Sequence, residues 1–387
     1  MGSHEEIIID ILRRLSVKSL LRFKCISKSW NTLISEPYFI KKHLNTHAKN
    51  QNSQKLLITQ VPHGKYCKGF NLYSSSLSSS SKLVEDIRRL DYPSSCKPID
   101  GRVYCCCDGL FFVGFWIYWN DEEVEPSILL LWNPSTRESI ILPSHVEIPP
   151  QEEYVYGLGY DATSDDYKIL RIDTHDKVPE EILALKSGSW RQIEETSDRM
   201  SSTKISNREL CLAFLHGAFH WLGHCPRDSM VSFNISDEMY GEIPLPGILS
   251  SPGLVEVDAY ALGPVQIGVS VLGGKLSLYH KHENFDIWVL KDYGVKESWT
   301  KWFTIPSYEV VRKKVIIPIY RFSDDEVLLS YFCLDGMVYR MHNVSLESSN
   351  RIWPLDCNHD IHASSIQDGF VYTKSLISPK LLLANQI

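Results

Sequence analysis

Residues 273–302 read GGKLSLYHKHENFDIWVLKDYGVKESWTKW. Gly273-Gly274 is a turn dipeptide, and Leu276 and Leu278 alternate with polar neighbours as a half-buried strand does. Two further apolar runs, Ile287-Trp288-Val289-Leu290 and Ser298-Trp299-Thr300-Lys301-Trp302, complete the unit. The same order recurs in both directions. Asp108-Gly109 opens onto Leu110 to Val113, then Leu129 to Arg137 and Leu142-Pro143. Gly157 to Asp161 and Asp166 to Ile172 lead to Ser189-Trp190-Arg191, and His216-Gly217 leads through Trp221 to Val231–Asn234 and Ile243–Pro246. Asp335-Gly336 precedes Met337-Val338-Tyr339, and Asp368-Gly369, before Phe370-Val371-Tyr372, reads as the copy that closes a ring. Gly217 to Gly274 is 57 residues and Gly274 to Gly336 is 62, while Gly109 to Gly217 is 108, close to two such periods.

A period of roughly 50 residues with four short strands is the spacing of propeller blades. One four-stranded sheet cannot bury both faces, whereas blades stacked around an axis bury all of them and leave only short edges. The glycines fall where the turn needs a left-handed backbone. The expectation is a large all-β domain over residues 55–380, a β-propeller of kelch-like blades; a stacked β-sandwich is the alternative that the blurred period leaves open. Trp132, Trp190 and Trp299 are expected to lock blades together, and Asn133, Thr136 and Arg137 to tie their loop by hydrogen bonds.

The first 45 residues have another texture. Residues 5–44, EEIIIDILRRLSVKSLLRFKCISKSWNTLISEPYFIKKHL, predict a small all-α head of three helices. Ile8, Ile11, Leu12 and Leu15 form one stripe. Ser16 is placed to cap a second helix with Leu20 and Leu21 inside and Lys18 and Arg22 outside. Ile26, Trp30, Leu33 and Ile34 form a third stripe that Pro37 closes. Such a head buries too little surface to be stable alone. It carries eight basic against four acidic residues, a net of +4, so the rest of a chain of net charge -7 carries -11. A basic head on an acidic body suits an acidic protein partner better than nucleic acid. Residues 46–54 are polar and read as a linker, and the serine run from Ser74 to Ser81 reads as a surface loop.

Composition narrows the function. At 43% hydrophobic and 22% charged the chain is globular, and with neither a long uncharged apolar run nor a basic-then-apolar leader it is expected to be neither membrane-spanning nor secreted. Ten scattered cysteines make no disulfide framework at this length and are expected to be reduced, in cytoplasm or nucleus. Cys105 and Cys107 share a strand face without a second Cys-x-x-Cys, and His220, His224 and Cys225 would need a sharp turn to share a metal. Gly157-x-Gly159 lacks the third glycine and following helix of a dinucleotide loop, and no phosphate-binding Gly-Lys-Ser/Thr loop or Gly-x-Ser-x-Gly elbow occurs. No catalytic residue, cofactor or metal is therefore expected.

The head resembles the F-box of plant F-box proteins, through Val17-Lys18-Ser19-Leu20-Leu21-Arg22-Phe23-Lys24-Cys25, Ser27-Lys28-Ser29-Trp30 and Pro37-Tyr38-Phe39. The body resembles their F-box-associated domain, through Cys107-Asp108-Gly109-Leu110, residues 132–137 (Trp-Asn-Pro-Ser-Thr-Arg), 157–161 with 166–168, and Asp286 to Leu290 with Ser298 to Lys301. In texture it is also similar to F-box proteins around the self-incompatibility locus, although every motif named belongs to the general family. The resemblance implies a subunit of an SCF-type ubiquitin ligase without chemistry of its own. Its head would bind a Skp-type adaptor, and through it cullin, and its body would bind an unidentified protein target. The adaptor set expected is Ile8, Ile11, Leu12, Leu15, Leu20, Leu21, Ile26 and Trp30, with Lys18, Arg22 and Lys28 at a polar rim; no residue is assigned to the target. Ser3 and His4 stand where the family has Leu-Pro, and Ser16 where it has a second proline. Loss of the first pair is expected to weaken adaptor binding. The alternative is a nucleic-acid-binding or structural module using the basic helices.

Overall fold

A computed structural model describes residues 3–48, 53–62, 70–77, 87–93, 100–116, 118–120, 123–124, 128–143, 154–174, 180–193, 212–223, 229–247, 266–281, 284–306, 313–323, 326–333, 338–345, 349–351 and 364–383. The head has four helices rather than three: α1 (Ser3–Leu12), α2 (Val17–Lys24), α3 (Lys28–Ser35) and α4 (Pro37–Ala48). Ser16 Oγ accepts the Ser19 N–H and Ser27 Oγ the Trp30 N–H, both at 3.2 Å, so α2 and α3 start on capping serines. Pro37 does end α3, and it also opens α4. At the first helical position a proline has no N–H to leave unpaired, and its fixed φ already suits the helix. Phe39, two residues on, is fully buried in the head.

Among the described residues the body is a β-propeller built of five sheets, with a separate two-stranded sheet of Tyr118–Asn120 and Glu123–Val124. Four are four-stranded antiparallel blades: Asp100–Cys107 to Glu138–Ile141, Tyr154–Asp161 to Ser189–Gln192, Ala213–Leu215 to Tyr240–Pro244, and Gln266–Leu272 to Trp299–Ile305. The fifth, eight-stranded sheet fills two places in the ring, because its halves meet only through the pair Tyr339↔Ile366. One half holds Lys313–Ser323, Glu326–Cys333, Val338–Ser345 and Ser349–Arg351; the other holds Ser364–Thr373, Gln54–Pro62, Asn71–Ser76 and Arg88–Arg89. The ring closes where the first strand of the body, Gln54–Pro62, pairs antiparallel with the last, Ser364–Thr373.

The turn dipeptides act as expected in three blades. Asp108-Gly109, His216-Gly217 and Gly273-Gly274 all have positive φ at both positions, the backbone of the tight hairpin turn. Asp335-Gly336 lies outside the described residues. Asp368-Gly369 makes no turn: it sits inside the closing strand, Gly369 opposite Ile58, so the ring closes there by strand pairing. Gly157 and Gly159 also lie within a strand. A Cβ on them would fall 2.6 Å from the Phe219 ring and 2.4 Å from the Phe214 ring, so these glycines let the next blade's aromatics close in.

Apolar seams join successive blades. Phe112, Leu131, Leu158 and Ile169 fill one, Ile182, Phe219 and Phe233 the next, and Leu56, Ile58, Tyr320 and Leu328 the seam between the halves of the large sheet. Two of the three tryptophans add a directed bond at the rim. Trp190 Nε1 donates to Pro143 O at 2.9 Å and Trp299 Nε1 to Pro244 O at 2.8 Å, each tying an outer strand to the outer strand of the preceding blade. Trp132 instead packs in a seam beside Phe111. Truncation after Asn343 removes the closing strand and leaves Gln54–Pro62 as an open inner edge. The fragment is expected to aggregate or to lose its single cooperative melt, read by gel filtration and differential scanning calorimetry.

Candidate protein-interaction sites

The structure divides the expected adaptor residues into three groups. Ile8 and Ile11 project outward from α1, 42% and 59% exposed, and Ile7 beside them is 55% exposed. Ile26 and Lys28 are exposed at the α2–α3 corner, where Trp30 stacks edge-on against Phe23. The second group is core. Leu12 and Leu20 are buried inside the head with Ile9, Val17, Ile34 and Phe39, and Leu15 and Trp30 pack against that cluster. Leu12 and Leu20 therefore cannot meet a partner without unfolding the head, and the inward stripe of α1 is Ile9 and Leu12 rather than Ile8 and Ile11. The third group, Lys18, Leu21 and Arg22, lines a cleft between α2 and the propeller instead of an outer rim.

The head is fastened by a C-terminal strap, residues 374–383, that leaves the closing strand. Leu376 is buried in the head's core, while Ile377 joins Leu44 and Ile40 in the seam between the first two four-stranded blades. Asn133 holds the strap: its amide nitrogen donates to Ser375 O, Ser375 Oγ and Ile377 O at 3.2, 3.1 and 2.7 Å. Its oxygen accepts the Ser135 N–H at 2.8 Å, so the expected loop tie is present together with a tie the sequence did not reveal. Gly109 has φ +79°, and a Cβ there would meet Thr373 O at 2.5 Å, so the Asp108-Gly109 turn also makes room for the strap. Lys41 Nζ donates to Tyr160 OH at 2.8 Å and lies 3.7 Å from Asp165. These exposed contacts orient the head and add about 0–1 kcal/mol.

The head sits at the end of the ring where the tight turns gather. The turns at 134–137 and 162–165 touch it or border its cleft, and Gly188 lies against the strap's Leu383. Because the strands of these blades alternate in direction, the connections from Gln192 to Ala213 and from Pro244 to Gln266 leave from the opposite end. A channel of about 850 Å³ runs along the axis, lined by the innermost strands, including Cys105 to Cys107, Tyr160, Ser270, Tyr320 and Phe370.

Asp161 and His220 in the body are committed to structure. Asp161 accepts from Ser164 Oγ and Ser236 Oγ at 2.6 Å, from the Thr163 N–H at 2.9 Å and from Lys168 Nζ at 2.9 Å, while Lys168 also donates to Ile235 O at 2.7 Å. Burial pushes the Asp161 pKa up, but the bonds from Ser164, Ser236 and Lys168 outweigh it and hold the carboxyl well below the usual range. His220 bonds Ala213 O at 3.2 Å and Tyr293 OH at 2.7 Å; His224 and Cys225 lie outside the described residues. Among the described residues no group of three or more His, Cys, Asp or Glu could hold a metal, and no helix is long and apolar enough to cross a membrane.

A small helical head with an exposed apolar helix face is strapped to one end of a β-propeller. The F-box domain family matches residues 4–42, and the F-box associated beta propeller domain family matches residues 63–378. The second spans most of the sequence, and the chain belongs to the F-box proteins that carry this propeller. It is 28% identical to the Arabidopsis thaliana F-box/kelch-repeat protein At3g23880, over 97% of this chain and 95% of that one. It is 29% identical to the Arabidopsis thaliana F-box protein CPR1, over 79% of this chain and 74% of that one.

Two measurements test the site's construction. Leu376→Ala opens a cavity in the head's core and is expected to cost about 2–5 kcal/mol in urea unfolding, with the head, followed by hydrogen exchange of α1 and α2, loosening before the propeller. His43, buried with Nε2 3.0 Å from Leu15 O, and His220 both have pKa values lowered to about 4, first by burial. The folded state stays unprotonated there while the unfolded state takes up protons near 6.5. Stability is therefore full above pH 6.5, falls as the pH drops towards 4, and stops falling on this account below 4. Each histidine contributes up to about 1.4 kcal/mol per pH unit in that window. His43→Phe should make the pH dependence of urea unfolding shallower by one such share.

Proposed function

We propose that this protein is the target-recognising subunit of an SCF-type ubiquitin ligase. The outward isoleucine face of α1 docks a Skp-type adaptor, and cullin is reached through the adaptor. The observation that carries this reading is the set Ile7, Ile8 and Ile11, three large apolar side chains left in solvent side by side on one helix of a head whose core is filled by Ile9, Leu12, Val17, Leu20, Ile34 and Phe39. Ile26 and Lys28 at the α2–α3 corner extend the surface, and Leu12 and Leu20 support it from inside. The protein performs no bond chemistry. It raises the effective concentration of a target lysine near a loaded ubiquitin-conjugating enzyme, in the cytoplasm and/or nucleus, and the strap's fixed geometry limits the conformational freedom of that encounter.

The target belongs at the end of the propeller away from the head, where the long connections leave and where changes do not disturb the tight turns that seat the head. A nucleic-acid role for the basic helices is less well supported, because Lys18 and Arg22 line the cleft and the exposed feature of α1 is apolar. Ser3 and His4 fall in the first turn of α1, so the missing Leu-Pro pair would act on the helix that bears the isoleucine face.

The test is Ile8→Asp with Ile11→Asp. Both residues are exposed, so the variant should fold with an unchanged melt while adaptor affinity, by titration calorimetry, falls at least about 30-fold from lost burial and charged desolvation. Undiminished binding by the folded variant would remove α1 from the interface, and a native chain that binds no adaptor would remove the ligase role. Leu20→Asp tests nothing here, because it charges the head's core.

A further inference from the structure

The axial channel, about 850 Å³ in volume, is walled from all six places of the ring. Five of them each bring an aromatic residue to the wall: Tyr160 from the second four-stranded blade, Phe214 from the third, Tyr279 from the fourth, and Tyr320 and Phe370 from the two halves of the large sheet. The first blade supplies Cys105 to Cys107 instead. Two of the aromatics come close because an inner strand carries glycine beside them. A Cβ on Gly159 would fall against the Phe214 ring, and one on Gly268 against the hydroxyl and ring of Tyr279, so these two positions admit no larger residue unless the aromatic moves away.

The described lining holds one carboxylate and one guanidinium, and each is engaged. Asp108 accepts the Tyr167 hydroxyl at 2.9 Å, and the Arg321 guanidinium lies over the Trp302 ring, 3.2 Å from its centre. The groups left unsatisfied are neutral. Gln54 Oε1, beside the closing strand, and Ser270 Oγ, in the fourth blade, are buried and have no hydrogen-bond partner among the described residues. A buried polar atom without a partner is unfavourable, and a ligand that pairs it removes the penalty. The amide oxygen only accepts, whereas the serine hydroxyl donates or accepts, so a hydroxyl on the ligand suits either one.

We propose that the axial channel binds a small, uncharged aromatic molecule that carries a hydroxyl or a comparable hydrogen-bonding group. Its rings pack among Phe214, Tyr279, Tyr320 and Phe370, and its polar group pairs with Gln54 or Ser270. A space of this volume, walled by apolar and aromatic side chains with a few neutral polar atoms, has the make-up of a small-molecule site. A charged ligand would lose its water there without gaining a counter-charge. Through Phe370 the ligand touches the closing strand as well as the other blades, so its binding also favours the closed ring. No described residue of the head lines the channel, and the proposal does not rest on the ligase reading.

The full-length chain is titrated by calorimetry with para-phenylphenol, two linked aryl rings with one hydroxyl, and its melting temperature is followed alongside. The expected result is saturable binding at one site with a rise in melting temperature. Two analogues should bind at least about tenfold more weakly: para-cyclohexylcyclohexanol, which keeps the hydroxyl without the aromatic rings, and para-phenylbenzenesulfonate, which adds a charge. Phe214→Leu with Phe370→Leu keeps both positions apolar and should weaken binding by a similar factor. Gln54→Met with Ser270→Ala removes only the two unpartnered polar groups, so it should fold as the native chain does and still bind more weakly. Ile141→Ser with Met239→Ser, which takes away exposed apolar side chains outside the channel, should bind as the native chain does. Absence of saturable binding, or undiminished binding by either folded channel variant, would overturn the proposal. So would equal loss in the surface variant, which would reduce the effect to adsorption, or an analogue that binds as tightly as para-phenylphenol.

Discussion

Everything in this molecule hangs on the pairing of Gln54–Pro62 with Ser364–Thr373. It joins two strands more than three hundred residues apart, so the chain must complete the ring before either edge is covered. The same pairing sets where both ends of the body leave it: α4 enters just before the first strand, and the strap leaves just after the last. The head and the strap are thereby delivered to one end of the ring. Asn133 fixes the strap there, and Leu376 completes the core of a four-helix head that is too small to be secure by itself. Closure of the propeller thus delivers the strap residue that completes the head's core.

This coupling suits the role proposed above, which works by position. A subunit that raises local concentration gains little if its two binding surfaces swing freely, because the favourable geometry is then only rarely sampled. Two apolar anchors, Leu376 into the head and Leu44 into a blade seam, resist such swinging, and the surface pairs around Lys41 set the orientation at little energetic cost.

The sequence made the fold legible wherever local chemistry and global structure agree. The dipeptides Asp108-Gly109, His216-Gly217 and Gly273-Gly274 demanded left-handed turns and made them, and Ser16 capped α2. It misled where one residue type serves two ends. Pro37 can stop one helix and start another, and Asp368-Gly369 has the composition of a turn but lies in a strand fixed by pairing with residues near position 58. The site was only half legible for a related reason. With Ile7, Ile8, Ile9, Ile11 and Leu12 almost continuous, α1 is apolar around most of its circumference, and periodicity could not tell the face toward the core from the face toward a partner. That choice was made by Phe39, Ile34 and Leu376, the last more than three hundred residues away. The turn of Lys18 and Arg22 toward the propeller was equally invisible, since nothing local in α2 records what lies opposite.

The two ends of the ring differ in how tightly the described structure constrains them. At the head's end the connections are tight: Gly109 is fixed by its φ and by the Thr373 carbonyl, Asn133 by its bonds to the strap, and Asp161 by its bonds to Ser164, Ser236 and Lys168. Substitution there strains a turn or strands a buried polar group, and either consequence reaches the head. At the other end lie the strand ends Gln192, Ala213, Pro244 and Gln266, away from the described contacts that hold the head. Surface loops generally tolerate sequence change at little cost in stability, which suits the far end to the target-binding role proposed above. The cost of change is therefore concentrated at the head's end, where turn, strap and head share the same bonds.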